Sequence, residues 1–239
     1  MSKIIFFDTE TTGNEQKDSL IQLAYKSGDE QFVGLYKPEI KIPPEASAVH
    51  HITNKMVADK PSFKDSGDLQ KIKKLFEDDN SVVVAHNAPF DLLMIKKENI
   101  EPKNYICTLK LSRYLDPEEK IGRYNLQYLR YLLDLDVEAT AHDALGDVLV
   151  LEKLFERLKK KIMEQEKING DEAIKRMTEI SSKPLLIKTL NFGKYKGKKL
   201  EEVLVIDRGW LEWLLREKEK NDSIEHEDWI YTLRHYLGK

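Results

Sequence analysis

Three short stretches bring together the side chains best suited to chemistry. FFDTETTG (6–13) sets Asp8 and Glu10 one residue apart at the end of an apolar run. On a strand, residues i and i+2 face the same way, so both carboxylates converge at the strand's C-terminal end, the usual place for a site in an α/β sheet. Two acids so placed repel one another unless protonated, paired with a base or bound to a cation. AHNAPFD (85–91) carries Asp91 into the first turn of a helix that follows a buried strand. AHDALGD (141–147) carries Asp147 on the flank of another helix's apolar stripe, with His142 five residues earlier and able to swing over the same point. An acid buried there against a sheet is expensive without a cation. Four carboxylates and one histidine suit a hard cation such as Mg²⁺ or Mn²⁺ better than zinc, and the chain has no cysteine cluster and no HExxH. Each stretch also has a plainer account. Asp8 and Glu10 read as solvated acids at a strand end, Asp91 and Asp143 as first-turn partners of a helix dipole, and His86 as a core or strand-end histidine.

The elements that must position these residues can be read from hydrophobic pattern. KIIFFD (3–8) is a near-continuous apolar run suited to a central strand. LIQLAYK (20–26) and QFVGLYK (31–37), joined across SGDE, read as a hairpin that completes an antiparallel meander. Residues 42–61 read as connecting structure with a short helix capped by Thr53, and 66–78 as a helix with Leu69, Ile72, Leu75 and Phe76 on one face. SVVVAH (81–86) reads as a second buried strand, followed by a helix with Asn87 as its cap and Pro89 in its first turn. YICTLKLSRYL (105–115) reads as strand then helix with Thr108 at the junction, Asn125 caps a further helix, and 142–162 is a long amphipathic helix. A meander followed by alternating strands and helices implies an α/β fold with a mixed sheet and helices on both faces.

Composition bounds the rest. A length of 239 residues accommodates one large domain, or a medium one with a small companion. With 41% hydrophobic and 34% charged residues the chain reads as a soluble globular protein, and a net charge of −3 gives no global field for nucleic acid. The single cysteine, Cys107, excludes an intrachain disulfide and fits a reducing compartment. The apolar run at the N-terminus is too short for a signal-peptide core and no run approaches a membrane span, so the expected location is cytoplasmic.

The three motifs in order, DxE with TTG, HNxxFD and HxxxxD, resemble those of the DEDDh 3′–5′ exonucleases, whose fold is RNase H-like. PEASAVHHIT (44–53) resembles the segment that this family carries between its first two motifs. The likeness covers roughly residues 1–160, and HHITNKMVADKP, YICTLKLSRYL and NFGKYKGKKLEEV extend it to the bacterial exonuclease X subgroup with its C-terminal module. His51 departs from the glycine found in much of the family. The resemblance implies catalytic roles for Asp8, Glu10, Asp91, Asp147 and His142, two Mg²⁺ or Mn²⁺ ions held by Asp8, Glu10, Asp91 and Asp147, and His142 as the acceptor of the attacking water's proton. It further implies that Glu45 and His50, the backbone of Thr9, Thr11, Thr12 and Gly13, and Asn87 and Phe90 border the terminal nucleotide. The implied activity is removal of nucleoside 5′-monophosphates from single-stranded or frayed DNA 3′ ends, in repair or proofreading. An exoribonuclease of the same fold, acting on RNA, and a non-catalytic polymerase-associated binding module are the alternatives.

The domain reading is a catalytic domain at 1–162, a linker or helical extension at 163–183 and a small α+β module at 184–239. In the module, FGKYKGKK (192–199) interleaves Phe192 and Tyr195 with four lysines. Lys194 and Lys196 could meet phosphates while a ring stacks on a base; a lysine-rich edge that blocks strand pairing has the same composition. Trp210 and Trp213 read as core anchors of the module.

Overall fold

The computed structural model describes residues 2–13, 17–137, 144–220 and 226–239. These form two compact units: residues 1–115 with 123–181, and 116–122 with 182–239.

The first unit is built on a five-stranded sheet of order β3-β2-β1-β4-β5. β1 (Lys3–Thr11), β2 (Leu20–Ser27) and β3 (Glu30–Leu35) form the antiparallel meander, while β4 (Ser81–Ala85) and β5 (Tyr105–Cys107) add in parallel. β4 reads SVVVA and is buried throughout, as a parallel strand covered on both faces must be. β1 is longer than its parallel partner. Its pairing with β4 ends at Phe6↔Val84, whereas its pairing with β2 continues through Glu10↔Gln22. The segment from Asp8 onward therefore has a ladder on one side only.

Alternation along β1 sorts its residues between two layers. Ile5 and Phe7 join a core with Ile72 and Phe76 of α2 (Asp68–Phe76) and Ala88 and Ile95 of α3 (Ala88–Lys97). Phe6 faces the other way and meets Phe155 edge-on at 5.1 Å, a contact worth about 0.5–1.5 kcal/mol beyond burial. Phe155 belongs to α6 (Ala144–Glu166), whose buried face includes Asp147, Leu151, Leu154 and Leu158. The helices expected on both faces of the sheet are thus present.

Two side chains of β2 fix the position of α6 along the sheet. Gln22 Oε1 accepts the Ala144 N–H at 3.2 Å, and Lys26 is ion-paired with Glu152. Four strand residues span about 13 Å and eight helix residues about 12 Å, so helix and strand run together in matched register.

Some local expectations change. The short helix α1 (Pro44–His50) starts on a Pro-Pro pair that presets its first turn and ends at His51 in the left-handed region (φ 61°), so Thr53 lies beyond its C-terminal end and caps nothing there. Asn87 holds the position before α3, but with left-handed backbone (φ 61°) and no side-chain capping bond. Asn125 is a true cap: its Oδ1 accepts the Tyr128 N–H at 2.7 Å at the start of α5 (Leu126–Leu132). α4 (Thr108–Tyr114) follows β5 directly, and α7 (Gly170–Ser181) packs on β5 and α4 in the first unit.

The second unit gathers α8 (Leu200–Ile206), α9 (Arg208–Lys220) and α10 (Glu227–Leu237) around Leu190, Leu211, Leu215 and Leu233. Its extended pairing among the described residues is the single bridge Thr189↔Lys199. Trp210 packs against this core, whereas Trp213, expected to be a second anchor, is 47% exposed, with its ring 6.3 Å from that of Trp210.

Candidate active site

Asp8 and Glu10 share the Phe6 side of β1, under the first turns of α6. Their antiparallel partners on β2 are Ala24 and Gln22. Ala24 leaves room beside Asp8, and Gln22 tethers the start of α6. Asp147, three residues into that helix, arrives over the two strand acids. Carboxylate oxygens of Asp8, Glu10 and Asp147 all lie within 4.8 Å of one another. Among the described residues this is the one group whose side chains could hold a metal ion. Asp8 and Glu10 are half-buried and Asp147 is 8% exposed. Three carboxylates so close form a hard-oxygen donor set that fits Mg²⁺ or Mn²⁺.

Asp91 lies outside that group. It is 2% exposed in the first turn of α3, and its Oδ1 accepts the Thr9 N–H at 3.1 Å and the Thr9 hydroxyl at 2.7 Å. The cause is the unequal length of β1 and β4. Thr9 points to the α3 side and has no β4 residue beside it, so Asp91 supplies the acceptor that a neighbouring strand would have given. His142 and Asp143 lie outside the described residues.

The threonines after the acids serve the loop's own geometry. Thr11 donates to the Gly13 carbonyl at 2.6 Å, and Thr12 donates to Asp18 Oδ1 at 2.9 Å while accepting the Ser19 N–H. A Cβ on Gly13 would sit 2.6 Å from Asp18 Oδ2, so any larger residue would push the Asp18 carboxylate from its place beside Thr12. Lys97, at the far end of α3, donates to the Asp18 carbonyl at 2.9 Å. Thr9, Thr11 and Thr12 are buried, and Gly13 is half-buried.

Glu45 is exposed on α1, and His50 at its end is buried with Nδ1 accepting the Ile52 N–H at 3.0 Å. Asn87 is exposed and Phe90 half-buried at the start of α3. In the second unit Lys194 pairs with Asp207 at 2.8 Å and lies over the Tyr195 ring, while Lys196 is exposed. Phe192 and Tyr195, candidates for stacking on a base, instead meet Trp229 and Trp210 edge-on.

Sequence reasoning passed over three residues around the cluster. Gln127 on α5 donates its amide to Asp147 Oδ1. Gln22 tethers α6, and Asp18 organises the TTG loop. His86 is a fourth case, read from sequence as a core or strand-end histidine. Its Nε2–H donates to the Tyr124 carbonyl at 2.7 Å, and Nδ1 faces the Thr108 hydroxyl at 2.9 Å. Burial pushes its pKa down to about 4, so it is a neutral strut between β4, α4 and the segment leading into α5.

The exonuclease family model matches residues 5–155, and the exodeoxyribonuclease X-like C-terminal model matches 190–219. Exodeoxyribonuclease 10 of Escherichia coli K12 is 34% identical over 204 residues, spanning 85% of this chain and 83% of the relative. A structure of exonuclease X in complex with 5′ overhanging duplex DNA superposes with TM-score 0.55 at 26% identity, over 75% of this chain and 99% of that one. Escherichia coli exonuclease I in complex with a dA16 oligonucleotide shares the fold at TM-score 0.55 and 20% identity, over 67% of this chain and 41% of that one.

Proposed function

The chain belongs to the exonuclease family and is a 3′–5′ exonuclease, and from that premise we propose that it removes nucleoside 5′-monophosphates from DNA 3′ ends. The observation that carries the metal-dependent part of this reading is the convergence of Asp8, Glu10 and Asp147 within 4.8 Å. The DNA part rests on the relatives, which are named as exodeoxyribonucleases or were solved with DNA.

In this reading Asp8, Glu10 and Asp147 hold a divalent cation, Mg²⁺ or Mn²⁺, and Asp91 supports a second one directly or through water. Bound there, such cations supply a nucleophilic water at neutral pH and offset charge on the attacking and leaving oxygens. The chain's own residues do the rest. Thr9 holds Asp91 against β1, the backbone of Thr9, Thr11, Thr12 and Gly13 meets the terminal nucleotide, and Glu45, His50, Asn87 and Phe90 border it. His142 accepts the proton of the attacking water, a role that fits a side chain with an ordinary pKa near ~6.5. His142→Ala should therefore lower the rate by about 10²–10⁴, with a smaller effect on metal affinity. Lys196 and its neighbours in the second unit add contact to the phosphate backbone. DNA repair or proofreading is the cellular role that such chemistry serves.

The test is hydrolysis of matched DNA and RNA oligonucleotides labelled at either end, with Mg²⁺ and with EDTA. Loss from the 3′ end of DNA, abolished by EDTA and absent in Asp147→Ala, is the expected result. Faster loss from RNA would move the assignment to an exoribonuclease. Binding without cleavage under any metal would leave only a binding module.

A further inference from the structure

Asp147 is the carboxylate of the cluster that arrives from a separate layer, so its placement depends on whatever fixes α6 and on whatever fixes its own side chain. Two glutamines are built in at those points. Gln22 stands opposite Glu10 on β2, is 9% exposed, and accepts the backbone N–H of Ala144 at 3.2 Å. Gln127, in the first turn of α5, donates its amide to Asp147 Oδ1 and accepts from Arg130 at 3.4 Å. The first fixes how far α6 reaches along the sheet. The second fixes how the Asp147 carboxylate is turned, because holding one oxygen sets the direction of the other.

We propose that Gln127, with Gln22, is a positioning residue that presets Asp147 for a divalent cation. The inference rests on the metal-dependent reading of the site given above. An amide suits this task for a chemical reason. A lysine or arginine at position 127 would neutralise Asp147 and compete with the cation, and an acid would add like charge to three carboxylates already crowded together. A neutral donor orients the carboxylate and leaves its charge available. Arg130 keeps the glutamine aligned by donating to its Oε1, and it also reaches the Val137 carbonyl just after α5. His86 works from further back: it holds the Tyr124 carbonyl two residues before Leu126 begins α5.

The test is Mn²⁺ binding followed by the electron paramagnetic resonance of free Mn²⁺, a readout independent of turnover. Gln127→Met keeps side-chain length and removes the donor. It should weaken Mn²⁺ binding by about 10–100-fold while the metal-free protein melts as the wild type does. Gln127→Ala should show the same loss, and Gln22→Met a smaller one. Raising the Mn²⁺ concentration should restore the rate of Gln127→Met, which a merely misfolded site would not allow. Mn²⁺ affinity within twofold of wild type in both Gln127 variants would overturn the proposal while leaving the site itself intact. Absence of Mn²⁺ binding by the wild type would overturn the metal-dependent reading, and the proposal with it.

Discussion

Asp147 in the first unit and Asp207 in the second each stand at the start of a helix, and each accepts side-chain hydrogen bonds. Asp207 takes the Lys194 ammonium at 2.8 Å, the Tyr195 hydroxyl at 2.9 Å and the Trp210 N–H at 3.0 Å. Hydrogen bonding from Lys194 and then Tyr195 holds its carboxyl below the usual aspartate range. It is an N-cap with a cation attached, complete as it stands. Asp147 takes the amide of Gln127 and lies within 4.8 Å of two further carboxylates. Asp91, buried in its own helix start, is likewise held by the N–H and hydroxyl of Thr9. Neutral donors fix a carboxylate's direction without spending its charge, whereas a lysine cancels it. The chain thus uses one residue type at three helix starts with different donors: a lysine, a tyrosine and a backbone N–H at Asp207, a glutamine amide at Asp147, and a threonine's N–H and hydroxyl at Asp91.

Removing one of the clustered charges has the largest expected effect. Asp8→Asn should reduce turnover to background, and by relieving repulsion among the three carboxylates it should stabilise the metal-free protein by about 0.5–2 kcal/mol. Steady-state hydrolysis and calorimetric melting check the two halves. Thr9→Val removes one donor to Asp91 and keeps the side chain's shape. Its expected cost is about 10-fold in rate with the fold retained, and single-turnover kinetics would show whether the loss lies in the chemical step.

The neutral strut behind the site gives a pH signature. His86 has a native pKa near 4 against an ordinary 6.5, so between those values the unfolded chain binds the proton and the native one resists it. Its contribution is present above pH 6.5 and lost as pH falls towards 4. The wild type should lose melting temperature across that window more steeply than His86→Gln. The smallest effect separates the two lysines of the second unit. Lys196 is exposed and Lys194 is occupied by Asp207, so Lys196→Ala should lower the salt slope of DNA binding by about one and Lys194→Ala by less.

Much of this was legible in the sequence, for particular reasons. Asp8 and Glu10 stand out because a period of two puts both on the side of β1 that Phe6 shares with α6. Asp147 stands out because it interrupts a stripe of leucines. Burial on both faces marks β4, and turn residues mark the meander. What stayed hidden lacks any such pattern. Gln127 is an ordinary polar residue beside Leu126, and its partner lies 20 residues away on another helix. Gln22 left a faint trace, a polar residue within an otherwise apolar strand run. The hold of Thr9 on Asp91 is invisible in the sequence, which cannot show that β1 outruns β4. Phe192 and Tyr195 alternate with lysines as a stacking platform does, and the sequence does not show that their half-buried rings pack on Trp229 and Trp210 at the edge of the second unit's core.

Crystals soaked in Mn²⁺ and measured for anomalous scattering would show whether the three carboxylates hold a cation. The expected result is a peak coordinated by Asp8, Glu10 and Asp147, lost in Asp147→Asn. A wild-type crystal with no peak there, or with Mn²⁺ bound only elsewhere, would contradict it.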